Sequence, residues 1–155
     1  MKFDGVSGNK DKELEDPKGY GAIEYAYSLM ARAAGITMSE CQLLEENDRR
    51  HFITKRFDRP PGGGKLHAQS LCALAPALDV TYSFNPSGRW TAQHQMSING
   101  KRDEFTLDDF RACSKSAMMK RGRGEKIIEE VCAAVAQWPE HADKAQVSAH
   151  WREQR

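Results

Sequence analysis

The sequence predicts an α+β chain, with a short strand and a hairpin early and helices filling the last third. Three observations carry that expectation. Two apolar, strand-like runs flank a polar turn in the forties. Stripes of apolar residues at helical spacing lie before and well after that hairpin. Between them, glycine and proline punctuate a long irregular stretch.

Met1 to Asp4 reads as a very short strand, followed by a polar, glycine-punctuated loop that can bury little. Ala22 to Ala34 then reads as a helix. Ile23, Ala26, Tyr27, Met30, Ala33 and Ala34 share one stripe, and Gly35 suits the position just past a helix end. In CQLLEENDRRHFITKRF, Leu43 and Leu44 precede a polar turn at Glu46–Arg49. The return strand is expected over His51 to Arg56, with Phe52 and Thr54 alternating against Ile53 and Lys55. Asp58 to Lys65 is a loop. Ala68 to Ala75 begins as a helix and meets Pro76, and the stretch from Asp79 to Ser97 is irregular, with turn chemistry at Asn85-Pro86-Ser87-Gly88. Asn99-Gly100 marks a further tight turn. Thr106 with Asp109 resembles a capping box opening a helix through Leu107, Phe110, Cys113 and Ala117. Ile127, Ile128, Val131, Cys132, Val135 and Trp138 mark an amphipathic helix stopped at Pro139. A last helical segment, around Glu140 to Arg152, carries Ala142, Ala145, Val147 and Trp151.

A length of 155 residues suits one domain. Lys and Arg number 23 against 22 Asp and Glu, a net charge of +1, which argues against a chain that coats nucleic acid or an anionic membrane. A mean hydropathy of -0.71 with 29% charged residues implies a modest core. No run approaches the roughly 18 apolar residues of a membrane span. The N-terminus lacks the apolar stretch of a signal peptide, so a cytoplasmic protein is expected. Cys41, Cys72, Cys113 and Cys132 show no close pairing and sit in apolar neighbourhoods, so they read as reduced packing residues. The five histidines are scattered, and no metal site is visible. Gly62-Gly63-Gly64 lacks the lysine-serine or lysine-threonine pair of a phosphate loop, and Lys120 to Lys126 reads as a solvated connection between helices. Trp138 and Trp151 read as packing residues, and Asp58 as the partner of Arg56 or Arg59.

The segments KFD, GAIEYAYSLMARAAGI, TKRFDR, APALDV and AQHQMSINGKR, in that order, carry a resemblance that covers nearly the whole chain. Together they resemble the HipA family of toxin–antitoxin serine/threonine kinases, in their C-terminal, kinase-like lobe. The resemblance implies one incomplete HipA-like C-terminal domain over residues 1–155. Its nucleotide-hinge half would be residues 1–75, and its metal-aspartate and C-terminal helical half residues 76–155. It implies ATP and Mg2+ as cofactors, a protein substrate, and a helix-turn-helix antitoxin as partner. A chain supplying the N-terminal half, with its β-rich lobe and phosphate loop, is a further expected partner. Neither nucleic acid nor membrane is expected to bind directly.

By the same resemblance, Lys2 matches the lysine on the nucleotide phosphates, and Gln69 a polar nucleotide-contacting position. The backbone of Lys55, Arg56 and Phe57 matches the hinge that meets adenine, and Asp79 matches the magnesium-binding aspartate. Glu24 could steady Lys2 or simply face solvent. Taken without the resemblance, Lys2 is an ordinary exposed lysine and Asp79 caps a turn. The family's catalytic loop resembles N-x-D-D-H-x-K-N, and no Asp-Asp-His grouping occurs in this chain. Leu71 to Ala75 runs straight into Pro76 to Val80, where family members carry a long helical segment. An internal deletion, a catalytically deficient chain and incomplete cover over Val131, Val135 and Trp138 are therefore expected. The non-catalytic reading is a remnant that only binds an antitoxin or partner protein.

Overall fold

The computed structural model describes residues 1, 3–5, 18–67 and 97–153, and its architecture is α+β. Its elements are α1 (Tyr20–Ala33), β1 (Cys41–Glu46), β2 (Arg49–Thr54), α2 (Leu107–Ser116), α3 (Arg123–Ala136), α4 (Trp138–Lys144) and α5 (Ala149–Glu153). The chain divides into two compact units, one of residues 1–66 with 133–155 and one of residues 67–132.

In the first unit, β1 and β2 pair antiparallel from Cys41 opposite Thr54 to Glu46 opposite Arg49. Asn47 and Asp48 join them with φ of 50° and 57°, the two left-handed residues that a type I′ turn requires. This turn sets the register, so β2 begins at Arg49 and ends at Thr54, earlier at both ends than the alternation alone implies. Helix α1 lies against both strands and against α4. Its contact face is made of small residues, with Ala22, Ala26 and Ala31 buried beside Ile23. The close approach peaks at Gly21, where a Cβ would stand 1.8 Å from the Arg50 carbonyl oxygen. Cys41, Phe52, Ala134, Ala142, Ala145 and Val147 are buried in the same unit, and Ile23 and Phe52 each contribute about 1.5–3 kcal/mol through burial. Two aromatic pairs tie α1 to the C-terminal helices, Tyr27 with Trp138 at 5.2 Å and Tyr20 with Trp151 at 5.4 Å between ring centres.

Helix α1 ends as expected at Gly35, whose φ of 82° lets the Gly35 and Ile36 amides turn back onto Arg32 and Ala31. The first residues, however, form no strand. Asp4 and Gly5 make a turn, because the Asp4 amide donates to His51 Nδ1 at 2.9 Å instead of to a ladder. The C-terminal expectation also changes. Pro139 sits in the first turn of α4, where its missing N–H costs nothing, so Trp138 opens a new helix rather than ending α3. The segment expected over Glu140 to Arg152 is two helices, broken where Gln146 adopts φ of 53° and Val147 returns its amide to Ala142. The expected helix at Ala68 to Ala75, the junction at Leu74–Pro76 and most of the irregular stretch after it lie outside the described residues.

In the second unit, Asn99 and Gly100 form the expected tight turn with φ of 53° and 80°, and Ile98 and Lys101 exchange both backbone bonds. Thr106 and Asp109 close the expected capping box, and Phe105 packs on Phe110 as a hydrophobic staple with ring centres 6.3 Å apart. Helix α2 stops at Met118, a left-handed residue at φ of 52° without glycine's freedom, and the Met119 amide returns to Ser114. Gly124, in the first turn of α3, lies against Ser114 of α2, and Arg111 bridges the two helices to Glu125 at 3.0 Å. Of the cysteines, Cys41 is buried as expected, but Cys113 and Cys132 are exposed, on helices that bury few side chains, and Cys72 lies outside the described residues. Val131 and Val135 are also exposed.

Candidate functional site

The hinge expected at residues 55–57 begins where β2 stops. The Lys55 amide donates to the Glu40 carbonyl at 2.8 Å, one bond beyond the ladder, and the backbone then leaves the sheet. Lys55 points into solvent with its ammonium 3.7 Å from Glu40. Phe57 is 72% exposed, and its amide has no hydrogen-bond partner among the described residues. An exposed ring and a backbone N–H without a partner among the described residues therefore stand together here.

What holds that exposed segment is the residue after it. Asp58 is buried, and Arg56 grips its carboxylate from two nitrogens, Nε at 2.8 Å and Nη2 at 2.5 Å. Arg59 Nη1 adds a bond of 2.6 Å to the same group. The Asp58 carbonyl accepts the Leu66 amide at 3.0 Å, which closes the glycine-rich loop onto its own base. The Arg56 hydrogen bonds lower the Asp58 carboxyl to about 2, against the opposing effect of burial, and the same bonds raise Arg56. A carboxylate so occupied is a poor proton acceptor. Asp58 is a structural clamp, with both Arg56 and Arg59 as partners.

A second cluster lies at the other end of β2. Asp4 is buried and accepts from the Gly19 amide at 2.9 Å and, through longer contacts, from Gly21 and Arg50. Because His51 Nδ1 accepts the Asp4 amide, the neutral imidazole carries its proton on Nε2, which lies 3.8 Å from a Glu46 oxygen. Phe3 packs edge-on to His51 at 5.4 Å. Sequence reasoning missed both Asp4 and His51. The only available signal was an aspartate upstream of the Gly19-Tyr20-Gly21 helix start, which is weak because 15 residues separate Asp4 from Gly19.

Of the expected site residues, Lys55, Arg56 and Phe57 follow the end of β2, and Glu24 is half-buried on α1. Lys2, Gln69 and Asp79 lie outside the described residues. Among the described residues no group of three His, Cys, Asp or Glu side chains could hold a metal ion. None of the described helices is long and apolar enough to cross a membrane.

Residues 1–75 match the family model of the HipA-like C-terminal domain. This segment is HipA-like. No curated protein and no solved structure matches the chain. The HipA-like segment contains α1, the hairpin, residues 55–57 and the Asp58 clamp, whereas α2 to α5 lie beyond the matched residues.

Proposed function

We propose that the chain is a HipA-like serine/threonine protein kinase module of a toxin–antitoxin system, deficient in phosphoryl transfer as this sequence stands. The observation that carries the reading is the HipA-like match over residues 1–75, which includes an exposed segment at residues 55–57, held by Asp58, whose Phe57 amide has no partner among the described residues. Adenine lies along Lys55 to Phe57, and Lys2 and Gln69 reach the rest of the nucleotide. Asp79 holds Mg2+ beside the phosphates, with Glu24 supporting Lys2. Bound ATP supplies the transferable phosphoryl group.

Positioning and charge neutralisation carry most of phosphoryl transfer, and the aspartate that orients the nucleophile belongs to the loop this sequence lacks. Binding therefore outlives catalysis. The proposed partners are a helix-turn-helix antitoxin and a chain supplying the N-terminal half. The test is radiolabelled ATP with the full chain, alongside calorimetric titration of ATP and Mg2+. No phosphate incorporation is expected, with weak binding whose magnesium dependence disappears in Asp79→Ala. Incorporation abolished by Asp79→Ala would show an active kinase. Tight ATP binding indifferent to that substitution would place the nucleotide elsewhere.

A further inference from the structure

The tip of the hairpin borders an open depression of about 500 Å³ lined by Phe3, Lys18, Glu46, Asn47, Arg49 and His51. Its charges are unevenly used. Glu46 and Arg49 are cross-strand partners, where an ion pair is the ordinary outcome. Here the Glu46 carboxylate instead faces His51 Nε2, and Arg50 pairs with Glu45 at 3.3 Å. Arg49 and Lys18 are both exposed, and neither makes an ion pair among the described residues. Among the described lining residues, two cations thus share one depression with one carboxylate. The buried His51 also lines it, and because the Asp4 amide occupies Nδ1 its neutral ring carries the proton on Nε2, beside the Glu46 carboxylate. The Asn47 amide adds a further donor, and Asn47 is held by the tight turn.

We propose that this depression is a binding site for a small phosphate-type anion. Lys18 and Arg49 close on it from two sides, and His51 Nε2–H and the Asn47 amide donate to it. Guanidinium and ammonium groups suit phosphate oxygens, and an arginine fork adds direction to charge. Glu46 is the element of selectivity. Its carboxylate opposes any anion too small to span both cations while staying clear of it.

The site is separate from the hinge. Arg49 opens β2 and Lys55 follows its end, a span of about 20 Å at the usual strand rise. The inference therefore stands whether or not the hinge binds a nucleotide.

Titration of the full chain with inorganic pyrophosphate at constant ionic strength, followed by amide chemical shifts, tests it. Saturable shifts are expected at Lys18, Asn47, Arg49 and His51, with none at Phe57. Arg49→Ala and Lys18→Ala should each weaken binding about tenfold, as loss of a charged hydrogen-bond donor implies. Both residues are exposed, so both variants should fold. Glu46→Gln should tighten binding, and Phe57→Ala should leave it unchanged. Non-saturating shifts, or wild-type affinity in either the Arg49 or the Lys18 variant, would overturn the proposal.

Discussion

Helices α1 and α2 solve the same problem in opposite ways. Each begins with backbone amides that have no partner within the helix. Helix α2 satisfies them locally, since Thr106 and Asp109 lie within one turn, and Asn99 and Lys101 reach the same carboxylate from the adjoining tight turn. Helix α1 has no side-chain cap at Gly19 and depends on Asp4, which comes from far upstream in the chain. Close packing follows the same division. Gly21 in α1 lies against backbone, the Arg50 carbonyl, whereas Gly124 in α3 lies against a side chain, that of Ser114. One unit is built on contacts that cannot yield, the other on contacts that can.

The largest expected effect tests the unyielding contact. Gly21→Ala places a methyl group 1.8 Å from a carbonyl oxygen, so α1 must move off β2. A loss of about 4 kcal/mol or more is expected in denaturant unfolding, at the extreme of single substitutions. A near-neutral result would mean that α1 and β2 are not packed this closely.

Next comes the local cap. Asp109→Asn removes a carboxylate that gathers a lysine, an amide, a hydroxyl and a backbone N–H, and should lower Tm by about 8 °C. These bonds, that of Asn99 first, hold the Asp109 carboxyl well below the ordinary carboxylate range. Its contribution is therefore complete above the unfolded-state value and is lost only as pH falls through the depressed folded-state value. Wild type should keep its α2 amide protection from pH 7 down to about 4. Loss of that protection between those values would contradict the cap.

Gly124→Ala should cost less than Gly21→Ala, about 2–3 kcal/mol, because the Ser114 hydroxyl can rotate away from the Phe110 carbonyl it now bonds, leaving only the 2.9 Å approach of the Ser114 Cβ for a small helix shift to relieve. Adding Ser114→Ala should recover the part of that loss due to the hydroxyl in a double-mutant cycle, the alanine keeping the Cβ contact. The smallest effect runs the other way. Met118 is 92% exposed and left-handed at the end of α2, so Met118→Gly should stabilise by about 0.5–1 kcal/mol in the same assay.

What the sequence made legible divides along the same line. The Asn99-Gly100 turn, the Thr106–Asp109 box and the Gly35 terminus are signals contained within a few residues, and each is where the reading put it. Asp58 was legible as an ion-pair partner because Arg56 and Arg59 are its near neighbours. The bond between Asp4 and His51 was not legible, since 47 residues separate them and only the folded hairpin brings them together. Met118 and Gln146 hid two helix ends for another reason. Neither is glycine, so no residue type announced the left-handed turn that tertiary packing imposes. At the site, a family resemblance pointed to residues 55–57, while the clamp's full geometry and the depression at the hairpin tip needed coordinates.

The central claim is that residues 55–57 form a nucleotide-reading hinge in a HipA-like segment. The most direct measurement is the Phe57 amide shift during adenosine titration of the full chain. A saturable shift centred on Lys55 to Phe57, retained in Arg49→Ala, is the predicted result. An unmoved Phe57 amide while adenosine binds elsewhere, or no binding at millimolar adenosine, would contradict it.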